Sequence, residues 1–135
     1  MGRGATTSVL ARRMEIERGQ VWWADLPKPV GSGPGFRRPV VIVQSNNAID
    51  AGLQTLIVVP LTTNRGWTHF PGNVLLPAKT AGLAEDSVAN MSQLLAIDMK
   101  LLENLLGQVP TRLMDRIDEG LRIILALGRP PGTLQ

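Results

Sequence analysis

The sequence predicts an α+β domain in which a small, curled antiparallel barrel is followed by a single C-terminal helix. Three observations carry this expectation. Short β-branched and aromatic runs, separated by Gly- and Pro-rich turns, fill the chain from Gln20 to about Leu95. Helical periodicity is confined to the C-terminal part. A chain of 135 residues with 44% hydrophobic and 19% charged residues has room for one modest core. Strands that precede a helix in this way belong to a sheet closed on itself with the helix against it.

The elements follow in order. Residues 1–13, MGRGATTSVLARR, are small, polar and basic without a hydrophobic period, and read as a flexible arm ahead of the fold, with Met14 a candidate native start. The domain then spans 14–128, and RPPG from Arg129 opens a short tail, 129–135. Val21 to Leu26 is aromatic and β-branched and stops at Pro27. Its adjacent Trp22 and Trp23 must point to opposite faces, one to the core and one to a surface or interface. KPVGSGPGF is a loop, and Pro39 to Val43 is a continuous apolar run expected to be buried on both faces. Ser45 to Gly52 reads as a turn, and TLIVVPL from Thr55 as a strand that breaks near Pro60. A polar loop from Thr62 to Pro71 leads to a short strand, Asn73 to Leu76, and Ser87 to Leu95 reads as another strand, although SVANMSQLL also tolerates a helix. Asp98 caps a helical turn, MKLLENLL, that ends at Gly107. From Thr111, Leu113, Ile117, Leu121 and Ile124 form the apolar stripe of the terminal helix.

Composition removes several functional classes. The absence of cysteine excludes disulfides, thiol nucleophiles and cysteine-ligated zinc, and a lone histidine, His69, excludes HExxH chemistry. No apolar run reaches membrane-span length, which makes the cytoplasm the expected compartment. Three of the 14 Lys and Arg lie before Met14, leaving 11 basic against 11 acidic residues beyond it. A nucleic-acid site on the domain must therefore be a local concentration of charge.

GSGPGFRRP is that concentration. Ser32 and Gly35 lie in a backbone free to approach a ligand closely, Phe36 offers an aromatic face, and Arg37 and Arg38 stand side by side before a buried strand. An extended backbone sends the two arginines to opposite faces, so only one can enter a site. Guanidinium forks bind phosphate oxygens and aromatic rings stack bases. By residue type alone the same segment is also a solvated hairpin loop with solubilising charges. Thr62, Thr63 and Asn64 follow the third strand, where hydroxyls can serve a phosphate or a local turn. His69 is a candidate general base by its ordinary pKa, and Asp86 is a second candidate or an arginine partner. No spacing of carboxylates or histidines suits a metal, and P-loop and dinucleotide motifs are missing.

The order of segments resembles one family. RGQVWWADL from Arg18 is similar to RGDIWxxDL at the start of MazF/PemK/Kid toxins, GSGPGFRRPVVIVQSN to GSEQGGxRPVVVxSN, and IVVPLTTN to IVAPITSN. FPGNVLL, GLAEDSV, SQLLAID, LLGQVP and the terminal MDRIDEGLRIILAL follow in the family's order, so the resemblance runs from about Arg18 to Leu127. It implies a small SH3-like barrel with a C-terminal helix (the CcdB/PemK-like plasmid maintenance toxin fold), a homodimer and an antitoxin of MazE type. It also implies cleavage of single-stranded RNA, chiefly mRNA, at a short motif to 2′,3′-cyclic phosphate and 5′-OH ends, with no cofactor or metal. By position Arg38 is the implied catalytic guanidinium and Thr62 the catalytic hydroxyl; Ser32, Gly35, Phe36, Arg37, Thr63, Asn64 and Gln93 are implied to hold RNA. Arginine keeps its proton at physiological pH and is no conventional base, which leaves His69, Asp86 or water for that role. Two departures stand out: Gly33-Pro34 replaces the family's loop carboxylate, and Leu95 replaces an arginine that meets phosphate. The competing readings are a non-catalytic RNA- or peptide-binding barrel and a CcdB-type gyrase poison.

Overall fold

A computed structural model describes residues 15–128, so the expected arm at 1–13 and tail at 129–135 lie outside the described residues. The strands are β1 (Gln20–Leu26), β2 (Phe36–Ile42), β3 (Thr55–Thr62), β4 (Val74–Leu76), β5 (Ser87–Ala89), β6 (Leu95–Asp98) and β7 (Leu102–Gln108). Two α-helices, α1 (Asn46–Asp50) and α2 (Thr111–Leu125), complete the described chain together with short 3₁₀ turns. All pairings are antiparallel, in the order β4-β5-β3-β2-β1-β7, with β6 also on β3. The result is the expected α+β arrangement, a curled antiparallel half-barrel with a C-terminal helix.

The β2 run is buried on both faces, as its unbroken hydrophobicity predicts, because the sheet separates two cores. Val21, Val41, Val59 and Leu61 face one core, which α2 closes with Leu113, Met114 and Ile117. Trp22, Ala24, Val40, Ile42 and Val58 face the other, which Ile49, Ile97, Met99 and Leu102 close. The predicted helical stripe holds: Leu113 and Ile117 are buried, and Leu121 and Ile124 pack partly buried on the first core.

Three local expectations need correction. The Ser45–Gly52 turn is the short helix α1, which Ser45 caps by accepting from the Ala48 N–H and which buried Ile49 anchors. The strand expected from Ser87 to Leu95 is divided into β5 and β6 by a 3₁₀ turn at Met91–Gln93. Asp98 caps as expected, accepting from the Lys100 N–H at 2.9 Å, but helix ends at Leu101 and the rest of MKLLENLL is strand β7. Helix propensity in LLENLL yields there to the open edge of β1, which offers a ladder to pair with.

One contact joins α2 to the β3–β4 connection. Gly72, at φ +83°, lies against Gly120, and a Cβ at either position would collide with the other's carbonyl oxygen. Asn73 ties the same region together. Its Nδ2 donates to the Trp67 carbonyl at 2.9 Å and to Asn90 Oδ1 at 3.4 Å, and its Oδ1 accepts from the Met91 N–H at 2.9 Å. Asn73→Ala strands several partly buried polar groups, so urea titration should give a loss of about 1–3 kcal/mol. A variant within experimental error of wild type would contradict this bracing role.

Candidate functional site

The register places the two arginines of GSGPGFRRP on opposite faces. In β1–β2, Ala24 stands across from Arg38 and Asp25 across from Arg37. In β2–β3, Val40 pairs with Pro60, and continuing that register by two residues sets Arg38 across from Thr62. Ala24, Arg38 and Thr62 thus form one row across three strands. Ala24 is fully buried, and its single methyl leaves space for the stem of half-buried Arg38.

The Arg38 fork is positioned by main-chain carbonyls. Nε donates to the Gly35 carbonyl at 3.0 Å, and Nη1 approaches that of Leu61, the residue before Thr62, at 3.5 Å. Gly35 is buried against Pro29, where a Cβ would collide with the proline ring, so this position requires glycine. Among the described residues no carboxylate pairs with Arg38. Thr62 Oγ1 accepts from the Asn64 N–H at 3.2 Å, which leaves the hydroxyl hydrogen available to donate. A charged fork and a hydroxyl that share one row at a strand end are groups suited to an anionic tetrahedral oxygen cluster.

Arg37 belongs to the other face. Its guanidinium lies 4.0 Å from the Trp23 ring centroid and is salt-bridged to Glu103 on β7. Trp23 borders an apolar pocket with Pro39, Leu61, Leu83 and Leu106; Thr62 and Thr63 line its rim, and Arg38 does not. Neither tryptophan is therefore a bare interface residue, since Trp22 is in the core and Trp23 lies beneath Arg37.

The remaining expected residues divide in the same way. Gln93 Nε2 donates to the Ser32 carbonyl at 2.9 Å and fastens the β1–β2 loop. Phe36 starts β2 at φ +59° with its ring 62% exposed. Left-handed backbone at a non-glycine residue costs about 1–2 kcal/mol, so the exposed ring is held at some expense. Asn64 Oδ1 caps the 3₁₀ turn Arg65–His69 through the Gly66 N–H at 3.0 Å, while Thr63 is exposed. His69 is exposed in that turn. Both Asp86 oxygens are engaged, Oδ1 by the Ala78 N–H at 2.8 Å and Oδ2 by Arg65 at 3.6 Å. Leu95 pairs with Val58 and packs on the second core, so packing occupies the place where the resemblance implies a cation. Among the described residues no three side chains are grouped to hold a metal ion. Sequence reasoning missed Trp23 and Glu103 as partners of Arg37, because a pair separated by 66 residues has no local signal.

Residues 17–125 match the model of the PemK-like, MazF-like toxins of type II toxin–antitoxin systems. The chain belongs to this family. Endoribonuclease MazF6 of Mycobacterium tuberculosis is 41% identical over 114 residues, covering 84% of this chain and all of the relative. Endoribonuclease EndoA of Bacillus subtilis is 36% identical over 114 residues, covering 84% and 97%. A mycobacterial endoribonuclease solved in complex with its cognate antitoxin superposes with a TM-score of 0.66 at 27% identity, over 85% of this chain and 99% of the other.

In this PemK-like domain the Arg37–Glu103 bridge is exposed, at 52% and 38% of the two side chains. Such pairs contribute about 0–1 kcal/mol. Denaturation of Glu103→Ala should accordingly differ from wild type by less than about 1 kcal/mol; a loss twice as large would show the bridge to be part of the fold.

Proposed function

We propose that this chain is a sequence-specific endoribonuclease toxin that cuts single-stranded RNA, mRNA in the cell, without a metal ion and is neutralised by a cognate MazE-like antitoxin. The observation that carries the reading is the Arg38–Thr62 row: a guanidinium held by carbonyls, with no acidic partner among the described residues, across from a hydroxyl whose hydrogen is available to donate. In this reading the ribose 2′-OH loses its proton and attacks the adjacent phosphorus. The P–O5′ bond breaks and the leaving oxygen takes a proton, giving a 2′,3′-cyclic phosphate and a 5′-OH. Arg38 stabilises the charge that develops on the phosphoryl oxygens, and Thr62 donates to a non-bridging oxygen. Ser32, Gly35 and Phe36 form the wall on the Arg38 side, braced by Gln93, while Thr63 and Asn64 extend the Thr62 side. Arg37 serves RNA only from the opposite face. His69 ranks ahead of Asp86 as proton acceptor, because both Asp86 oxygens already have partners.

Arg38→Ala should stay folded and lose on the order of 10²- to 10³-fold in rate, the usual effect of removing one oriented electrostatic donor. Near-normal cleavage by the folded variant would remove Arg38 from the mechanism. Cleavage of a mixed RNA pool should persist in EDTA, and a 2′-deoxyribose at the cut site should abolish it. A magnesium requirement, or cutting of the deoxy substrate, would make water the nucleophile. Gyrase-dependent DNA breaks without RNA cleavage would instead favour the gyrase-poison reading.

We also propose a homodimer in the cytoplasm. Among the described residues no helix is long and apolar enough to cross a membrane. An apolar groove lined by Val43, Gln44, Leu53, Ile57, Leu121 and Leu125 supports a second copy as its occupant. Leu53 is 50% and Leu125 49% exposed, and the buried Gln44 Nε2 has no hydrogen-bond partner among the described residues. A charge in this groove should oppose association, so Ile57→Glu should sediment as a monomer where wild type gives a dimer mass at micromolar concentration. A monomeric wild type would overturn the assignment.

A further inference from the structure

Excluding His69, the chain has five aromatic side chains, three Trp and two Phe. Trp22 is buried and Trp23 is covered by Arg37. The other three, Phe36, Trp67 and Phe70, lie on the two segments that lead from Arg38 and Thr62. Both phenylalanines are exposed, Phe36 at 62% and Phe70 at 54%, although two cores are available to take them. Exposed rings gathered on the two chain segments that adjoin Arg38 and Thr62 need a reason other than folding.

We propose that Trp67 and Phe70 form a stacking platform for one unpaired RNA base next to the cleaved phosphodiester, and that Phe70 sets selectivity at that nucleotide. The ring centroids are 4.8 Å apart and tilted by 37°, so Trp67 backs Phe70 from one side and leaves the phenyl ring accessible. The platform is built rigidly from the catalytic strand outward. Thr62 Oγ1 holds the Asn64 N–H, and Asn64 in turn receives the Gly66 and Trp67 N–H groups at 3.0 and 3.2 Å. Phe70 N–H donates to the Trp67 carbonyl at 3.2 Å, and Asn73 Nδ2 holds the same carbonyl from below. A platform fixed before binding loses little freedom when a base stacks on it. Arg65 begins the same turn; it meets Asp86 at 3.6 Å but is 67% exposed, so its guanidinium stays open to the neighbouring phosphate. Every base has a π-face, so stacking alone tolerates all four; preference arises because purines overlap the ring more fully than pyrimidines.

The inference rests on the nuclease reading, and its test separates the two. Cut sites in a single-stranded RNA pool with a randomised segment are sequenced for wild type, Phe70→Ala, Phe70→Leu and Phe70→Trp. One position of the motif should lose its preference in the Ala and Leu variants and keep it in the Trp variant. KM should rise on the order of tenfold for Ala and Leu while kcat changes little. The Leu variant preserves apolar volume in the turn, so a merely structural role would leave it with the wild-type preference, whereas loss of the stacking face removes that preference. An oligonucleotide made abasic at that position should weaken wild type by the same factor and Phe70→Ala no further. An unchanged motif and KM in Phe70→Ala overturn the platform and leave the nuclease reading standing, whatever the variant does to a protein partner. If wild type cuts no RNA, the nuclease reading fails, and fluorescence anisotropy with the RNA pool reads the platform instead. Equal binding by wild type and Phe70→Ala overturns it there.

Discussion

The third strand has to be paired along both of its edges, and most of the architecture follows from that demand. β3 carries β2 on one edge; on the other it carries β6 along Thr55–Val58 and then β5 at Leu61 and Thr62. Its Val58, Val59 and Leu61 side chains enter opposite cores, so the strand is enclosed above, below and at both sides. Pro60 in so central a strand would ordinarily leave a ladder bond unmade. Its carbonyl, however, accepts from the Asn90 N–H at 3.1 Å, on the β5 side. The N–H and carbonyl of one strand residue point to the same edge, so the missing donor falls where the partner changes from β6 to β5. That change of partner lets the sheet curl and brings Thr62 out at a strand end beside Arg38.

Adjacent arginines have thereby acquired different work. Arg38 meets carbonyls, which orient a guanidinium without neutralising it. Arg37 meets a carboxylate and an indole, which neutralise and cover it. Identical side chains one position apart differ because a pleated strand gives neighbours opposite surroundings. The chain beyond the arm is charge-balanced, so Arg38, with no carboxylate partner among the described residues, is a local positive centre and not part of a broadly basic domain.

Much of this was legible in the residues. Period-two and period-3.6 patterns located β1, β2, β3, β4 and α2, and the alternation rule required Arg37 and Arg38 to part. Which arginine is the candidate site residue came from the family resemblance, since alternation is symmetric until a core marks one face. Segments whose fate depends on a distant partner were misread. LLENLL has helix-forming composition, and only the free edge of β1 makes it a strand. SVANMSQLL looks continuous, and only the side-chain network of Asn73 and Asn90 explains where it bends. The Trp23–Arg37–Glu103 stack joins three strands across the chain, beyond the reach of any local pattern.

The meeting of Gly72 and Gly120 has a genetic consequence. Glycine inside a helix costs about 1 kcal/mol relative to alanine, and Gly120 bears that cost so that two backbones can touch. Any side chain there acts as a wedge between α2 and the segment that runs back to Asn64 and Thr62. Where expression of such a chain arrests growth, survivors should therefore carry lesions at these two glycine codons as well as at the proposed site residues. A map of escape mutations would then trace the contact line between helix and loop, with no structural experiment needed to draw it.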